Sequence, residues 1–158
     1  MKYLPVGLDI QDRICLVIGG GAIGTRKVRK LIRAGGRVTL VSPESTEELA
    51  DLAASGEILW KREGYRDAHL HGVFLAVAAS DDEGVNAQIV EAARNRGILV
   101  CDASSEGRTQ LIFGALHHGD GVTVAVFPDG EDPSRARHTR DRIAAFLSGE
   151  EKPEPPAS

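Results

Sequence analysis

Short apolar runs alternate with helical patterns along the chain up to residue 101. The runs ICLVIG, RVTLV, EILW, VFLAVAA and GILVC predict five strands, at 14–19, 37–41, 57–60, 73–79 and 97–101. Helices are predicted between them, over 23–35, from 45 to about 55 and from 80 to about 95. Apolar strands that alternate with amphipathic helices favour a parallel sheet covered on both faces, so the predicted fold class is α/β.

Polar residues mark where the predicted helices begin and end. Ser45 with Glu48 has the spacing of a capping box, and Ser80 with Glu83 repeats it at the next helix. Gly35 follows the last apolar position of the first helix, which predicts a glycine C-cap. The residues after two of the strands therefore carry signals that start helices, and Gly35 carries one that ends a helix.

The alternation stops after Asp102. The segments TQLIFGAL (109–116) and GVTVAVF (121–127) predict two further strands, and Asp132 with Pro133 predicts the start of a helix that runs to about Leu147. These strands carry more apolar side chains than a helix-covered sheet can bury, which predicts a C2 homodimer. We divide the chain into a nucleotide-binding domain at 1–108, an α+β dimerisation extension at 109–147 and a disordered tail at 148–158.

Composition narrows the range of functions. The chain has 158 residues, a net charge of −4 and 42% hydrophobic residues, which fits one domain with a small extension. This charge argues against binding to nucleic acid or to an anionic membrane, and no apolar run reaches the ~18 residues of a membrane span. The first ten residues lack the apolar core of a signal peptide. Both cysteines lie in apolar runs, as buried thiols do in a reduced cytoplasm, and the five histidines show no zinc-ligand spacing.

The first strand leads directly into a glycine-rich loop. Residues 19–24 satisfy G-x-G-x-x-G, with a strand before them and a helix and second strand after them. That context predicts a Rossmann-type, doubly wound sheet whose loop backbone and helix N-terminus hold the phosphates of a dinucleotide. A turn without a ligand is the alternative, but three consecutive glycines carry a high entropy cost for a simple turn. The candidate cofactor residues in this loop are Gly19, Gly20, Gly21, Ala22, Ile23 and Gly24.

The second strand ends at the position that usually binds the adenosine ribose. Ser42 occupies the slot that holds an acid in many NAD-binding proteins, followed by Pro43 and Glu44. No Lys or Arg occurs between Thr39 and Trp60, and Glu44, Glu47 and Glu48 in this stretch would repel a 2′-phosphate. The sequence therefore predicts NAD rather than NADP, with Ser42, Pro43 and Glu44 near the ribose.

Two stretches of the chain resemble a known family. YLPVGLDIQDRICLVIGGGAIGTRKVRKLIRAGGRVTLVSPE (3–44) and AVAASDDEGVNAQIVEAARNRGILV (76–100) resemble the precorrin-2 dehydrogenases, which include the amino-terminal module of siroheme synthase. The resemblance extends over about residues 1–147. It implies a cytoplasmic homodimer that oxidises precorrin-2 to sirohydrochlorin with NAD, and iron insertion is known only for some members. It also implies that Ala79 and Ser80 approach the cofactor.

The family resemblance also indicates where a proton acceptor is expected. Family members carry an aspartate after the fifth strand, and in the gapless register that slot holds Ser104. Asp102 is the only carboxylate in this strand-end loop before Glu106, so it is our candidate base. Because the slot itself holds serine, a second reading stays open. In that reading the chain is a catalytically weak relative that binds a dinucleotide or tetrapyrrole as a regulatory or carrier protein.

The last predicted helix carries a cluster of cations. Arg135, His138 and Arg142 share one face at i, i+3 and i+7 spacing. The face suits either the carboxylates of a tetrapyrrole or acids on a partner chain, and the sequence leaves both uses open.

Overall fold

In the computed structural model, the described part of the chain covers residues 3–119, 121–127 and 133–149. Five parallel strands form one sheet in the order β3-β2-β1-β4-β5, and an antiparallel pair, β6-β7, forms a second. The elements, in chain order, are β1 (Ile14–Ile18), α1 (Ala22–Arg33), β2 (Arg37–Val41), α2 (Glu47–Ala54), β3 (Ile58–Lys61), β4 (Leu75–Ala78), α3 (Glu83–Asn95), β5 (Leu99–Asp102), β6 (Ala115–Gly119), β7 (Val122–Val126) and α4 (Pro133–Leu147). A short 3-10 turn, Asp67–Leu70, precedes β4.

The parallel sheet is built outward from its centre. β1 pairs with both β2 and β4, so the chain first moves to one side and then crosses to the other. Leu16 and Ile18 face a buried cluster that includes Ile89 of α3. Val17 points to the opposite face, where it lies beside Gly24 of α1. Helices therefore cover both faces, and the predicted doubly wound, Rossmann-type fold is confirmed.

Helix starts differ from the sequence prediction in their capping residue. Thr46, not Ser45, caps α2, and its hydroxyl oxygen accepts a hydrogen bond from the N–H of Leu49. Asp82, not Ser80, caps α3, and its carboxylate accepts bonds from the N–H groups of Gly84 and Val85. Each prediction was wrong because a second capping-type residue follows the predicted one, and tertiary contacts select between the two.

The chain divides into two compact units, with the division between Ile112 and Phe113. In the second unit, α4 contacts both strands of the β6-β7 hairpin. The predicted strand at 109–116 was wrong, because β6 begins at Ala115 and continues to Gly119, which pairs with Val122 across the turn. The predicted cap at Asp132 and the tail from 150 onward lie outside the described residues.

Both cysteines are buried and unpaired in the parallel-sheet unit. Burial raises the pKa of the Cys15 thiol to about 11. Burial also raises the pKa of the Cys101 thiol, and the ammonium group of Lys27, 3.9 Å from its sulfur, offsets part of that rise. No helix of the described residues combines the length and the apolar character needed to cross a membrane.

Candidate cofactor site

The glycine loop lies at the carboxyl edge of the sheet, between β1 and β4, where the strand order reverses. In doubly wound sheets this edge forms the ligand crevice. Gly19 has a φ of +109°, and a Cβ there would lie 2.2 Å from the carbonyl oxygen of Ala79. A Cβ on Gly20 would lie 2.2 Å from the carbonyl oxygen of Glu44, and one on Gly24 would lie 2.0 Å from that of Gly19. Three of the glycines therefore allow backbone segments to approach closely.

Gly21 differs from these three glycines. No atom lies within 4 Å of an added Cβ at this position, and Gly21, Ala22 and Ile23 are exposed. Helix α1 begins at Ala22 without a side-chain cap and without an acid in its first turn. Its first N–H groups have no intrahelical acceptor, and the positive end of the helix dipole is uncompensated. This bare, exposed backbone fits the pyrophosphate of a dinucleotide, which would lie against Gly21.

Side chains from two neighbouring elements fix the shape of the loop. The N–H of Gly20 donates to the hydroxyl of Ser42 at 3.0 Å, and its carbonyl accepts from the N–H of Thr46 at 2.9 Å. The Thr25 hydroxyl lies 3.0 Å from the carbonyl oxygen of Gly21 and 2.9 Å from the Thr46 hydroxyl. Ser42 is only 8% exposed, so this hydroxyl, predicted to lie near the ribose, holds the glycine loop. Neither threonine was predicted from the sequence.

The adenosine end of the site carries less unpaired negative charge than the sequence suggests. Pro43 and Glu44 are exposed beside the glycine loop, as a ribose contact requires. The carboxylate of Glu48 is paired with the guanidinium of Arg29 on α1. The parallel register also places Lys61 beside Val41, which brings the basic carboxyl end of β3 next to the ribose slot. This neighbour is distant in sequence, and only the strand order reveals it.

Asn86 joins the ends of β4 and β5. Its side chain is fully buried, accepts from the N–H of Ser80 at 3.0 Å and donates to the Ser80 carbonyl at 2.8 Å. Its amide nitrogen also lies 3.2 Å from the hydroxyl of Ser104. Ala79 is placed by its N–H, which donates to Ile18 at 2.8 Å, and by its carbonyl, which lies against Gly19. Ala79 and Ser80 thus border the same crevice as the glycine loop.

Asp102, the candidate base, is the last residue of β5 and is buried, with a side chain that is 0% exposed. One carboxylate oxygen accepts from the N–H of Ser104 at 2.9 Å and from its hydroxyl at 2.6 Å. The other accepts from Nε of Arg108 at 2.8 Å. Burial acts to raise the pKa of Asp102, but the hydrogen bonds from Ser104 and Arg108 outweigh it and hold the pKa below its ordinary value. Its burial and its hydrogen bonds to Ser104 and Arg108 are those of a structural carboxylate.

Ser104 is the exposed member of this group. Its hydroxyl donates to Asp102, and its oxygen faces the amide of Asn86 and, at 3.4 Å, Nη2 of Arg108. Arg108 also reaches Glu83 at the start of α3, with 3.0 Å between Nη1 and Oε1. The family's aspartate slot therefore presents a hydroxyl, while the nearest carboxylate lies behind it. Arg108 was not predicted from the sequence, because nothing local indicates that a lone arginine pairs with a strand end.

Among residues 3–119, 121–127 and 133–149, no cluster of three or more histidine, cysteine, aspartate or glutamate side chains could hold a metal ion.

Comparison with known proteins places the chain in a family. Residues 6–115 match the family model NAD_binding_7, described as "Putative NAD(P)-binding". The match covers more than half of the chain, so the chain belongs to this family of NAD(P)-binding domains. The sequence-based recognition is confirmed, and so is the assignment of a nicotinamide dinucleotide, NAD, as the cofactor.

The chain is also similar to several siroheme synthases. The chain is 37% identical over 151 residues to the siroheme synthase of Nitrosospira multiformis, and 35% identical over 147 residues to siroheme synthase 1 of Pectobacterium atrosepticum. These matches cover 93% of the chain but only 32% and 31% of the relatives, so the chain spans about a third of their length. Among solved structures, SirC, a precorrin-2 dehydrogenase, matches with a TM-score of 0.78 and 26% identity, over 94% of this chain and 74% of SirC.

Proposed function

We propose that the chain binds NAD at the glycine loop and oxidises precorrin-2 to sirohydrochlorin. The observation that carries this proposal is the likeness to SirC, which extends over 94% of the chain and thus includes more than the nucleotide-binding fold. The exposed backbone at Gly21 supports the cofactor part of the proposal, because it offers unpaired N–H groups where a dinucleotide phosphate would bind.

In this oxidation the substrate loses a hydride and a proton. NAD supplies the hydride acceptor when it is bound. The residues of the chain position both reactants: the glycine loop holds the phosphates, and Asn86 fixes the Ser80 and Ser104 segments that border the crevice. Holding two reactants in a productive orientation is by itself a large contribution to rate.

The path of the proton follows from the burial of Asp102. We infer that Asp102 does not touch the ring, because its carboxylate is buried and both of its oxygens are occupied by donors. Ser104, which is exposed, occupies the slot next to the crevice, and its hydroxyl proton points towards Asp102. The proton lost by the substrate then passes to water, and Asp102 contributes as a positioning residue for Ser104.

Assembly and location are further parts of the proposal. A two-stranded sheet is marginal by itself, and β6-β7 leaves Leu116 and Val122 exposed at 38% and 44%. We therefore propose a homodimer built largely from residues 109–147, with no nucleic-acid or membrane partner. Two buried, unpaired thiols fit a reduced compartment such as the cytoplasm. A monomer in sedimentation at micromolar concentration would contradict the dimer.

A second function has one specific observation in its favour. The family's aspartate slot holds Ser104, and the neighbouring carboxylate is paired with Arg108 at 2.8 Å. A relative that retained the dinucleotide site but lost its base would have this arrangement. It would then bind a dinucleotide or tetrapyrrole as a carrier or regulator and would show little or no turnover.

One assay separates the two functions. Purified protein is mixed with precorrin-2 and NAD under anaerobic conditions, and the absorption spectrum of sirohydrochlorin is followed together with that of NADH. We expect both to rise with equal stoichiometry, and the rise to be strongly slowed in Gly21→Ala, whose added methyl group meets only the cofactor. Binding of NAD without any turnover would overturn the dehydrogenase proposal and support the carrier. The same assay with ferrous iron tests chelation separately.

A further inference from the structure

Arg62 stands beside the ribose slot without any role so far assigned. Val41 pairs with Lys61 in the parallel register of β2 and β3, and the N–H of Ser42 donates to the carbonyl of Lys61 at 3.2 Å. Arg62 follows this pair directly, in a tight turn in which the N–H of Glu63 donates to the same Lys61 carbonyl at 2.9 Å. Neighbouring strands lie about 4.8 Å apart, so Arg62 starts within one strand spacing of the slot.

The guanidinium of Arg62 is held in place by an aromatic ring. Its Cζ lies 4.1 Å from the centre of the Trp60 ring, which is within cation–π distance. The indole Nε1 in turn donates to the carbonyl oxygen of Ser42 at 2.9 Å. The Trp60 side chain therefore contacts both the Arg62 guanidinium and the backbone of Ser42, which restricts where the guanidinium can lie.

The charges around this guanidinium leave it available to an anion. Within the part of the chain that the structure describes, Arg62 forms no ion pair, and its side chain is exposed. Glu48, one of the three acids predicted to repel a phosphate, is already paired with Arg29. Two cations, Lys61 at the end of β3 and Arg62 after it, equal in number the two remaining acids, Glu44 and Glu47. The formal charges of these four residues sum to zero.

We propose that Arg62 is a specificity-determining residue that binds the 2′-position of the adenosine ribose, so that the site accepts NADP as well as NAD. An arginine near this position is the usual device for a 2′-phosphate, because its planar donors match phosphate oxygens. The proposal rests on the cofactor site of the proposed function. It corrects the expectation from sequence that acids alone line the adenosine end.

Two small probes isolate the adenosine end from the rest of the cofactor. 5′-AMP and 2′,5′-ADP differ only in the 2′-phosphate. Trp60 is the only tryptophan of the chain, so its fluorescence reports directly on this site. We expect 2′,5′-ADP to bind about tenfold more tightly than 5′-AMP by calorimetry, as one charge-assisted contact predicts. It should also change Trp60 fluorescence more, and its affinity should fall more steeply with salt.

Substitutions of Arg62 test whether the preference for 2′,5′-ADP depends on this side chain. Arg62→Ala should remove the preference for 2′,5′-ADP, and Arg62→Glu should reverse it, while 5′-AMP affinity changes less than threefold in both. Arg13→Ala is the matched control, because Arg13 also lies over an aromatic ring, Phe74 at 5.0 Å, but at the amino end of β1. It should leave both affinities unchanged.

The outcomes separate this proposal from the proposed function. If 5′-AMP and NAD bind but 2′,5′-ADP binds no more tightly, or the preference survives Arg62→Ala, Arg62 is a solvated cation and the inference is wrong. If the preference depends on Arg62 but precorrin-2 is not oxidised, the inference holds and the dehydrogenase proposal fails. If none of the nucleotides binds, both fail.

Discussion

Two loops at the carboxyl edge of the sheet use their hydrogen-bond donors in opposite ways. The loop after β1 is stripped of side chains, and at Gly21 its backbone faces open space. The loop after β5 is filled by its own side chains, because Asp102 accepts from Ser104 and Arg108 and its N–H donates to Thr109. One loop leaves its donors for a ligand, and the other uses its donors internally.

The two loops differ in how much substitution the fold can tolerate. In the glycine loop, three of the four glycines fit against backbone atoms, so the architecture itself requires them. In the β5 loop, the same architecture is held by replaceable polar side chains, so a slot such as Ser104 can differ between relatives without loss of the fold. The loop after β1 is therefore expected to tolerate less substitution than the loop after β5.

The largest expected effect is on Gly19. In Gly19→Ala the new methyl group would lie 2.2 Å from the Ala79 carbonyl oxygen, in a residue whose φ is +109°. Because strain and overpacking add, we expect the free energy of unfolding to fall by about 3 kcal/mol or more. Urea denaturation followed by circular dichroism measures it. A loss below about 1 kcal/mol would mean that the loop relaxes easily and that the two loops do not differ in tolerance.

Asp102→Asn tests the internally bonded loop. At neutral pH we expect a loss of about 1–3 kcal/mol, because a buried acceptor of several bonds loses its charge beside Arg108. The pKa of Asp102 is lowered from its ordinary value of 3.8, so its contribution is fully present above that value and is lost as the pH falls through the lower folded pKa.

The difference between wild type and Asp102→Asn should therefore shrink below about pH 4. Urea midpoints measured at pH 7, 5, 4 and 3 give this profile. A turnover loss of about 10²-fold or more in variant protein shown to be folded would instead make Asp102 a base, contrary to its burial.

Gly21→Ala sharpens the comparison from the other side. Nothing in the protein meets the added methyl group, so stability should stay within about 0.5 kcal/mol of wild type. The affinity for NAD should fall about tenfold or more, because the methyl group stands where the pyrophosphate approaches. Calorimetric titration tests this, and an unchanged affinity would place the phosphates elsewhere.

The smallest expected effect concerns the cap of α2, which braces the glycine loop. Thr46→Ala removes the cap and the contact with the Thr25 hydroxyl, and should cost about 1 kcal/mol. Ser45→Ala is the matched control and should cost less than half of that. Thermal unfolding of the two variants decides between Ser45, the cap that the sequence predicts, and Thr46, the cap in the structure.

The sequence predicted the parallel sheet well because each strand is a continuous apolar run. It failed at β6, where ALHHG is half polar and the apolar residues 111–113 lie before the strand. There the register is set by the partner strand and the turn, since Gly119 pairs with Val122. The pattern of apolar and polar side chains therefore could not locate this strand.

The site was predictable only where its signal is local. Glycine spacing revealed the loop after β1, because an absent side chain is itself visible in the sequence. Arg108 lies six residues from its partner Asp102, and the register that brings Lys61 beside Val41 joins residues 20 apart, so no local pattern indicates either neighbour. The pairing of the Glu48 charge likewise depends on Arg29 in another helix.

The labelling rates of the two buried thiols can report how often parts of the sheet open. A thiolate is the form that reacts with alkylating reagents, and burial disfavours it at both Cys15 and Cys101. Neither sulfur can be modified until its strand separates from its neighbours. Since β1 is central and β5 is at the edge of the sheet, the two labelling rates compare how often the middle and the margin of the sheet open.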